Sequence, residues 1–144
     1  MDLLNLKENQ IITIEKEKYK VLNKVKFIEK GGYWVEYKIK NEYGKIFYLN
    51  VETNLKCSLY EVLDIHSFEL KMNVIFNNNQ YELFEKGNGK VETYYGTTDI
   101  ALKEAVEYYE YLNTQNSNEI LSVEKWKNEL EVSLGHVVNK KYIK

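Results

Sequence analysis

Alternation of apolar and polar residues along most of the chain is the feature that most restricts how it can fold. In the first half, apolar side chains recur at every second position of several short segments, such as Ile12 and Ile14, Val25 and Phe27, Val35, Tyr37 and Ile39, and Phe47, Leu49 and Val51. A period of two is the period of β-strands, whose successive side chains point to opposite faces. Turn residues separate the segments, as at Gly31-Gly32 and at 41–44.

The turn at 41–44 also predicts the register of its hairpin. If Gly44 takes the left-handed conformation of a three-residue loop with a bulge, Asn41 pairs with Lys45. Positions 39 and 47, 37 and 49, and 35 and 51 then face each other, and the large apolar side chains share one face. A four-residue loop would place Glu36 opposite Leu49 and scatter these side chains, so the hydrophobic pattern favours the first register.

The second half repeats the pattern of the first. NVIFNNNQYELFEK at 73–86 parallels IITIEKEKYKVLNK at 11–24, and YYEYLNTQNSNEILSVE at 108–124 parallels WVEYKIKNEYGKIFYLNVE at 34–52. These matches keep the same order over four strands, which predicts an internal repeat of approximately 11–63 and 73–138 within a single domain of residues 1–144. The GNG sequence at 87–89 is interpreted as a turn, within a longer loop of the second copy at 87–104.

The segment DIALKEAVEYYEYL at 99–112 fits both a helix and a strand. Its apolar residues form a helical stripe that Asp99 could cap. The repeat favours instead a strand from about Val106, after at most one helical turn at 100–104.

Together these patterns predict an all-β domain. We expect about ten antiparallel strands in two pseudo-repeated meanders that form a barrel or a sandwich, with at most one or two short helices. A chain of 144 residues is long enough to bury such a core. The chain has no proline to protect its edge strands, which favours a closed barrel, a covered edge, or a homo-oligomer formed through strand edges.

Composition excludes several classes of function. The net charge is −2, and lysines and glutamates are interspersed along the chain without a basic block. We therefore expect no nucleic-acid partner. No stretch approaches the ~20 apolar residues of a membrane span, and the N-terminus does not resemble a signal peptide, so we expect a cytoplasmic protein. Cys57 has no second cysteine, and His66 and His136 are widely separated, which predicts neither a metal site nor a cofactor.

Two motifs resemble a known family. One is the Trp34-x-Glu36-Tyr37 strand, and the other is the late pair of strands with Val123-Glu124-x-Trp126. They resemble the bacterial family known as domain of unknown function 4178, whose members carry a Trp-x-Glu-Tyr strand early and a Tyr-Asp/Glu-Tyr strand followed by an Ile-Glu-x-Trp strand late. The similarity covers about residues 8 to 138. Here Val123 replaces the usual isoleucine, and FYLNVE stands where the family more often has tryptophan before the leucine.

The resemblance implies no established activity. It implies only a genomic association with envelope-stress and toxin-resistance gene clusters. The positions that match the family motifs are Trp34, Glu36, Tyr37, Glu52, Tyr109, Glu110, Tyr111, Val123, Glu124, Trp126 and Gly135.

The candidate site lies on the face opposite the apolar set. The predicted register places Trp34, Glu36, Tyr48 and Glu52 there, and Tyr108, Glu110, Ser122, Glu124 and Trp126 in the second copy. Neighbouring carboxylates could perform acid–base chemistry, as in glycosidases, or hold a hard cation. The alternative, which we favour from sequence, is an outer or rim surface with cross-strand hydrogen bonds worth under ~1 kcal/mol per pair.

If there is a ligand or partner surface, we expect it in the second copy. Its residues are Tyr108, Glu110, Glu124 and Trp126, with Trp34 and Glu36 as their structural counterpart in the first copy. No catalytic constellation is recognisable, whereas 13 tyrosines suit contact surfaces. The sequence therefore predicts a non-catalytic binding or adaptor module with a protein partner, and the alternative is a hydrolase that uses paired glutamates.

Overall fold

The structure, a computed structural model, describes residues 1–127 and 129–144. Its antiparallel strands are β1 (Ile11–Ile14), β2 (Glu17–Glu29), β3 (Gly32–Asn41), β4 (Ile46–Glu52), β5 (Cys57–Val62), β6 (Asn73–Phe76), β7 (Asn79–Tyr95), β8 (Ala105–Asn113), β9 (Asn116–Trp126) and β10 (Glu129–Val138). A short 3₁₀ turn follows at Lys140–Tyr142. The prediction of an all-β fold is confirmed. Within the described residues, no helix has the length and apolar character needed to cross a membrane.

Eight of the ten strands close into a barrel. The strand order is β1-β2-β3-β4-β5-β10-β9-β8-β7-β6, and β2 also pairs with β7. The long strands β2 and β7 allow this closure because their first halves pair with β1 and β6, whereas Lys24–Ile28 of β2 pairs with Lys90–Tyr95 of β7. This order is symmetric about the β5–β10 pair, while a duplication of the sequence itself stays a prediction.

The register predicted for the β3–β4 hairpin is confirmed. Gly44 has a φ of +83°, and the Asn41 N–H donates to the Lys45 carbonyl at 3.0 Å. The observed pairs are Ile39 with Phe47, Tyr37 with Leu49, and Val35 with Val51. The turn therefore determines which side chains share a face, as the hydrophobic pattern indicated.

This apolar face lies on the outside of the barrel and is covered by other parts of the chain. The first cover consists of the N-terminal segment with Leu3 and Leu6, strand β1, and the C-terminal Ile143. The Tyr37 hydroxyl fastens the N-terminal segment, because it donates to the Leu3 carbonyl at 2.8 Å and accepts from the Leu6 N–H at 3.1 Å. Packing between barrel and cover therefore forms the larger core.

A second cover lies over the other half of the barrel. Side chains from 63–70 and from β6 pack against Tyr81, Tyr111 and their neighbours. The Tyr111 hydroxyl donates to the Lys71 carbonyl at 2.9 Å, as the Tyr37 hydroxyl does on the first cover. With both covers in place, the apolar face is buried although it points away from the barrel axis.

The two strands at the ends of the sheet differ in their exposure. Strand β1 is bonded by the C-terminal segment, since Thr13 and Lys144 exchange two backbone hydrogen bonds of 2.7 and 2.8 Å. Strand β6 carries Ile75, which is 81% exposed. Strand β6 is therefore the edge through which self-association is predicted. Light scattering that shows only a monomer at high protein concentration would contradict this prediction.

The structure corrects one expectation between 87 and 112 and confirms another. The GNG sequence is not a turn and does not belong to a loop, because β7 continues to Tyr95. Glycine is required within this strand because side chains from the barrel interior pack directly on its backbone. The strand expected from about Val106 is confirmed as β8, and no helix forms at 100–104.

Candidate functional site

The polar face of the strands lines the interior of the barrel. Side chains of all eight barrel strands line a cavity of about 280 Å³, and they include Glu29 of β2, Glu36 of β3, Asn50 of β4, Tyr60 of β5, Glu85 of β7, Glu110 of β8, Ser122 of β9 and Ser133 of β10. The interpretation of this face as an outer or rim surface is therefore wrong. Alternation shows that two faces exist, but it does not show which of them closes inward when a sheet forms a barrel.

Five of the six predicted site residues meet in this first cavity: Trp34, Glu36, Tyr108, Glu110 and Glu124. Trp126 lines instead a second cavity of about 270 Å³. Trp34 and Glu36 from the first half of the sequence thus line the same cavity as Tyr108, Glu110 and Glu124 from the second half.

The two cavities lie one behind the other within the barrel. The first reaches the β2–β3 turn at 30–32 and the β4–β5 turn at 53–54, whereas the second lies toward Lys38 and the connection at 97–100. Both are lined by the same four side chains, Glu36, Tyr48, Glu124 and Glu131. These four form the boundary between the cavities.

An aromatic cluster forms one wall where β2 meets β7. The Trp34 ring stacks on Phe27 with 5.0 Å between centroids and an angle of 10°. Tyr108 meets Trp34 edge-on at 5.5 Å, and Trp126 lies 6.0 Å from Phe27. Stacked and edge-on pairs at these distances add stability beyond the area they bury. The Trp34 ring is therefore a fixed part of the cavity wall.

Two glycines of β7 leave room for this wall. A Cβ atom at Gly89 would lie 2.4 Å from Cη2 of Trp34, and one at Gly87 would lie 2.4 Å from Oε1 of Glu29 and 2.5 Å from the Tyr108 hydroxyl. The GNG sequence thus serves the site by allowing side chains to approach the backbone of β7.

Tyr108 also contributes a hydrogen bond near the mouth of the cavity. Its hydroxyl donates to Oε2 of Glu29 at 2.7 Å. We expect Tyr108→Phe to lower the free energy of unfolding by about 1–2 kcal/mol, because the Glu29 carboxylate loses this donor. Chemical denaturation measures the change, and Tyr43→Phe is the matched control because Tyr43 is 89% exposed. Equal stability of the two variants would show that the hydrogen bond contributes nothing.

Burial and mutual repulsion raise the pKa values of the interior carboxyl groups. For Glu36, burial raises the pKa well above its ordinary value, the charges of Glu124 and Glu131 raise it further, and a hydrogen bond from Asn50 offsets part of the shift. The pKa of Glu124 is raised in the same way, first by burial and then by Glu131, which lies directly opposite it in the β9–β10 register.

Glu110 is the third enclosed carboxyl group. Burial, followed by the charges of Glu85 and Glu52, raises its pKa to about 7. The pKa of Glu131 is also raised, chiefly by burial. Among the described residues, the ion pairs do not include Glu36, Glu110, Glu124 or Glu131. The interior therefore contains carboxyl groups without cationic partners, and protonation relieves part of their repulsion near neutral pH.

Sequence reasoning missed several residues of the site. They are Asn50, Tyr60, Glu131 and Ser133, which line the first cavity together with the predicted residues. The signal for two of them was present, since Glu131 and Ser133 alternate with Leu130, Val132 and Leu134 in β10. Tyr60 was harder to find from the sequence. Most of β5 is buried on both faces, and apolar and polar residues do not alternate strictly along CSLYEV.

The chemistry available in the cavity is hydrogen bonding, charge and contact with aromatic rings. Carboxyl groups that are protonated near neutral pH can also act as acids. Over the described part of the chain, no three His, Cys, Asp or Glu side chains are arranged to hold a metal ion.

Comparison with known proteins gives a family and no relative of known activity. No curated protein and no solved structure matches the chain significantly. A family model described as Domain of unknown function (DUF4178) matches residues 7–140, a range that contains all ten strands and every side chain that lines the two cavities. The resemblance seen in the Trp-x-Glu-Tyr and Val-Glu-x-Trp motifs is thereby confirmed, and the chain belongs to the DUF4178 family.

Proposed function

We propose that this protein is a non-catalytic binding module that holds a small ligand inside its barrel. The observation that carries the proposal is the first cavity, in which polar groups from all eight barrel strands converge beside the ring of Trp34. Ligand sites are typically concave, largely preformed and lined by aromatic side chains with a few directed polar groups. A volume of about 280 Å³ suits a small metabolite.

The architecture supports this proposal in a second way. Apolar residues cover the outside of the barrel and form its two larger cores, whereas the apolar cluster inside it, Val25, Phe27, Val91 and Val106, is confined to β2, β7 and β8, so the rest of the interior can be polar. Carboxyl groups enclosed without cationic partners cost free energy in the ligand-free protein. A ligand that compensates the charge of these carboxyl groups would offset this cost, and the polar interior is therefore explained by ligand binding.

The two tryptophans allow a test, because each lines a different cavity. In Trp126→Phe the only indole is Trp34, and in Trp34→Phe it is Trp126. We expect fractions of a small-molecule extract from the native host to change the fluorescence of the first variant in a saturable manner, since the ligand contacts Trp34.

A cavity-filling substitution completes this test. Ser122→Leu fills the first cavity and should abolish the fluorescence change, whereas Ser117→Leu, on an exposed position of the same strand, should preserve it. Thermal melts confirm that both variants fold. A change that survives in folded Ser122→Leu would place the ligand elsewhere and refute the proposal.

A hydrolase is the second candidate, and the raised pKa values of the interior carboxyl groups favour it. A carboxyl group that keeps its proton near neutral pH can serve as a general acid. Glu124 and Glu131, paired across β9 and β10, would be the acting residues. Turnover in a panel of glycoside and ester substrates that Glu124→Gln abolishes, without loss of folding, would replace the binding function by this one.

An adaptor role requires a protein partner in addition to the ligand. The family resemblance connects such a role with envelope stress. We expect a pull-down from the native host to recover a partner that depends on the ligand-filled barrel, and therefore less of it with Ser122→Leu than with Ser117→Leu. Equal recovery with the two variants would separate any partner from the cavity.

A further inference from the structure

Acidic and basic residues are distributed very unequally between the cavities and the rest of the protein. Ten of the 22 acidic residues line the two cavities, whereas Lys30 and Lys38 are the only two of the 20 lysines that do so. The undescribed residue is Asn128, so these counts include every charged side chain of the protein. Although the net charge of the whole chain is only −2, acidic residues greatly outnumber lysines around the cavities, with Glu85, Asp99 and Glu129 at exposed positions and the other seven at least partly buried.

The carboxyl groups of the first cavity occupy different depths. Glu36, Glu124 and Glu131 lie at the boundary with the second cavity, away from the turns at 30–32 and 53–54 that the first cavity reaches. Glu110 lies on β8, beside β9, where it pairs with Ser122 two residues before Glu124, while Glu52 adjoins the β4–β5 turn that the first cavity reaches and Glu85 is exposed. A ligand inside this cavity therefore meets negative charge at more than one point along its length.

Aromatic side chains lie between these carboxyl groups. Trp34, Tyr48, Tyr60 and Tyr108 line the same cavity. The face of an aromatic ring attracts ammonium groups, and its apolar surface packs well against methylene groups. Carboxylates that alternate with aromatic rings suit a ligand in which cationic groups alternate with alkyl segments.

We propose that the ligand is a linear polyamine, with one ammonium group at Glu36 and Glu124 and the next at Glu110. This inference rests on the proposed binding function and specifies its ligand class. A neutral sugar would also pack on the rings, but it would leave the enclosed carboxyl groups uncompensated, and an anion would be repelled by them. The polyamine supplies positive charge beyond that of Lys30 and Lys38, which are two lysines beside ten acidic residues in the lining of the cavities.

The direct test is titration of Trp126→Phe with spermidine, a linear triamine, at about pH 8. We expect saturable binding of one molecule and a change in Trp34 fluorescence, which isothermal titration calorimetry confirms. Triethylene glycol is the neutral linear probe, maltose the sugar probe and Mg²⁺ the metal probe, and we expect none of them to bind with similar affinity.

Charge-neutral variants locate the binding site. Glu110→Gln and Glu124→Gln keep the shape of the side chain and should each weaken spermidine binding about tenfold or more, since each removes one enclosed charge. Glu82→Gln, at an exposed position of β7 that lines neither cavity, should leave affinity unchanged. Equal loss or no loss in all three variants would mean that spermidine binds the outer surface, and the inference would be wrong.

The remaining outcomes separate this inference from the proposed function. If maltose or triethylene glycol binds in the cavity and spermidine does not, the polyamine inference is overturned and the binding barrel stands. Preferential binding of Mg²⁺ would also overturn it, in favour of a metal ion. If neither these probes nor host extracts alter Trp34 fluorescence, both the inference and the proposed function fail.

Discussion

Unfolding of the ligand-free protein is expected to require more free energy at about pH 5.5 than at about pH 8.5. Glu36, Glu110 and Glu124 have pKa values raised by burial, so the folded protein holds protons that the unfolded chain releases. Their stabilising contribution is complete below the ordinary carboxyl pKa and is lost as the pH rises through the folded-state values. For Glu110 that loss is centred near pH 7.

The contribution of Glu110 alone to this change in the free energy of unfolding has an upper bound. Between pH 5.5 and pH 8.5, a pKa of about 7 in the folded protein against 4.5 in the unfolded chain corresponds to at most about 2 kcal/mol. Water in the adjoining cavity reduces this value, whereas Glu36 and Glu124 add to it. In a domain of this size the bound for Glu110 alone corresponds to a change in melting temperature of about 7 °C.

Thermal and urea denaturation across this pH range measure the effect. Glu110→Gln should flatten the pH profile, because the amide does not titrate, and it should be more stable than the wild type at about pH 8.5. The control, Glu82→Gln, should keep the wild-type profile. Stability that is constant or increases between the two pH values would contradict the enclosure of these carboxyl groups.

Replacement of Gly89 by alanine should destabilise the protein by about 3 kcal/mol, which is a large effect for one added methyl group. The new Cβ atom would lie 2.4 Å from Cη2 of Trp34, and the indole cannot move freely because it stacks on Phe27. The φ angle of Gly89 is not in the left-handed region, so the cost comes from packing and not from the backbone.

Two further variants make this prediction specific. Gly32→Ala is the matched control, since no atom lies within 4 Å of its Cβ position, and it should change stability by less than about 0.5 kcal/mol. In a Trp34→Phe background the smaller ring removes the clash, so Gly89→Ala should cost less there. Equal effects of the two glycine substitutions in urea denaturation would show that Trp34 does not occupy the observed position.

The local parts of the fold could be predicted because they depend on neighbouring residues. The β3–β4 register followed from Gly44 and from the requirement that Val35, Tyr37 and Leu49 share a face. The strand at Ala105–Asn113 followed from its likeness to an earlier strand, although its own periodicity also fitted a helix. Barrel closure could not be predicted, because it depends on β2 and β7 each changing partners midway along their length.

The site was predicted in its residues but not in its position. Alternation grouped Trp34, Glu36 and Glu110 correctly, yet the usual rule that apolar side chains face inward placed them outside. The rule fails here because the apolar segments around Leu3 and Leu6, and around Phe68, cover the barrel from outside. Such apolar segments without strand partners of their own are the signal by which the inversion could have been recognised.

Titration of the glutamate side-chain carboxyl carbons by ¹³C NMR tests the central claim, that the polar face encloses a cavity, most directly. We predict that Glu110 titrates near pH 7 and that Glu36 and Glu124 titrate well above the ordinary carboxyl range. Added spermidine should lower the three raised pKa values, because a bound cation favours the ionised form. Titration of these three carboxyl groups at the ordinary value, near 4.5, would place this face in open solvent and contradict the account.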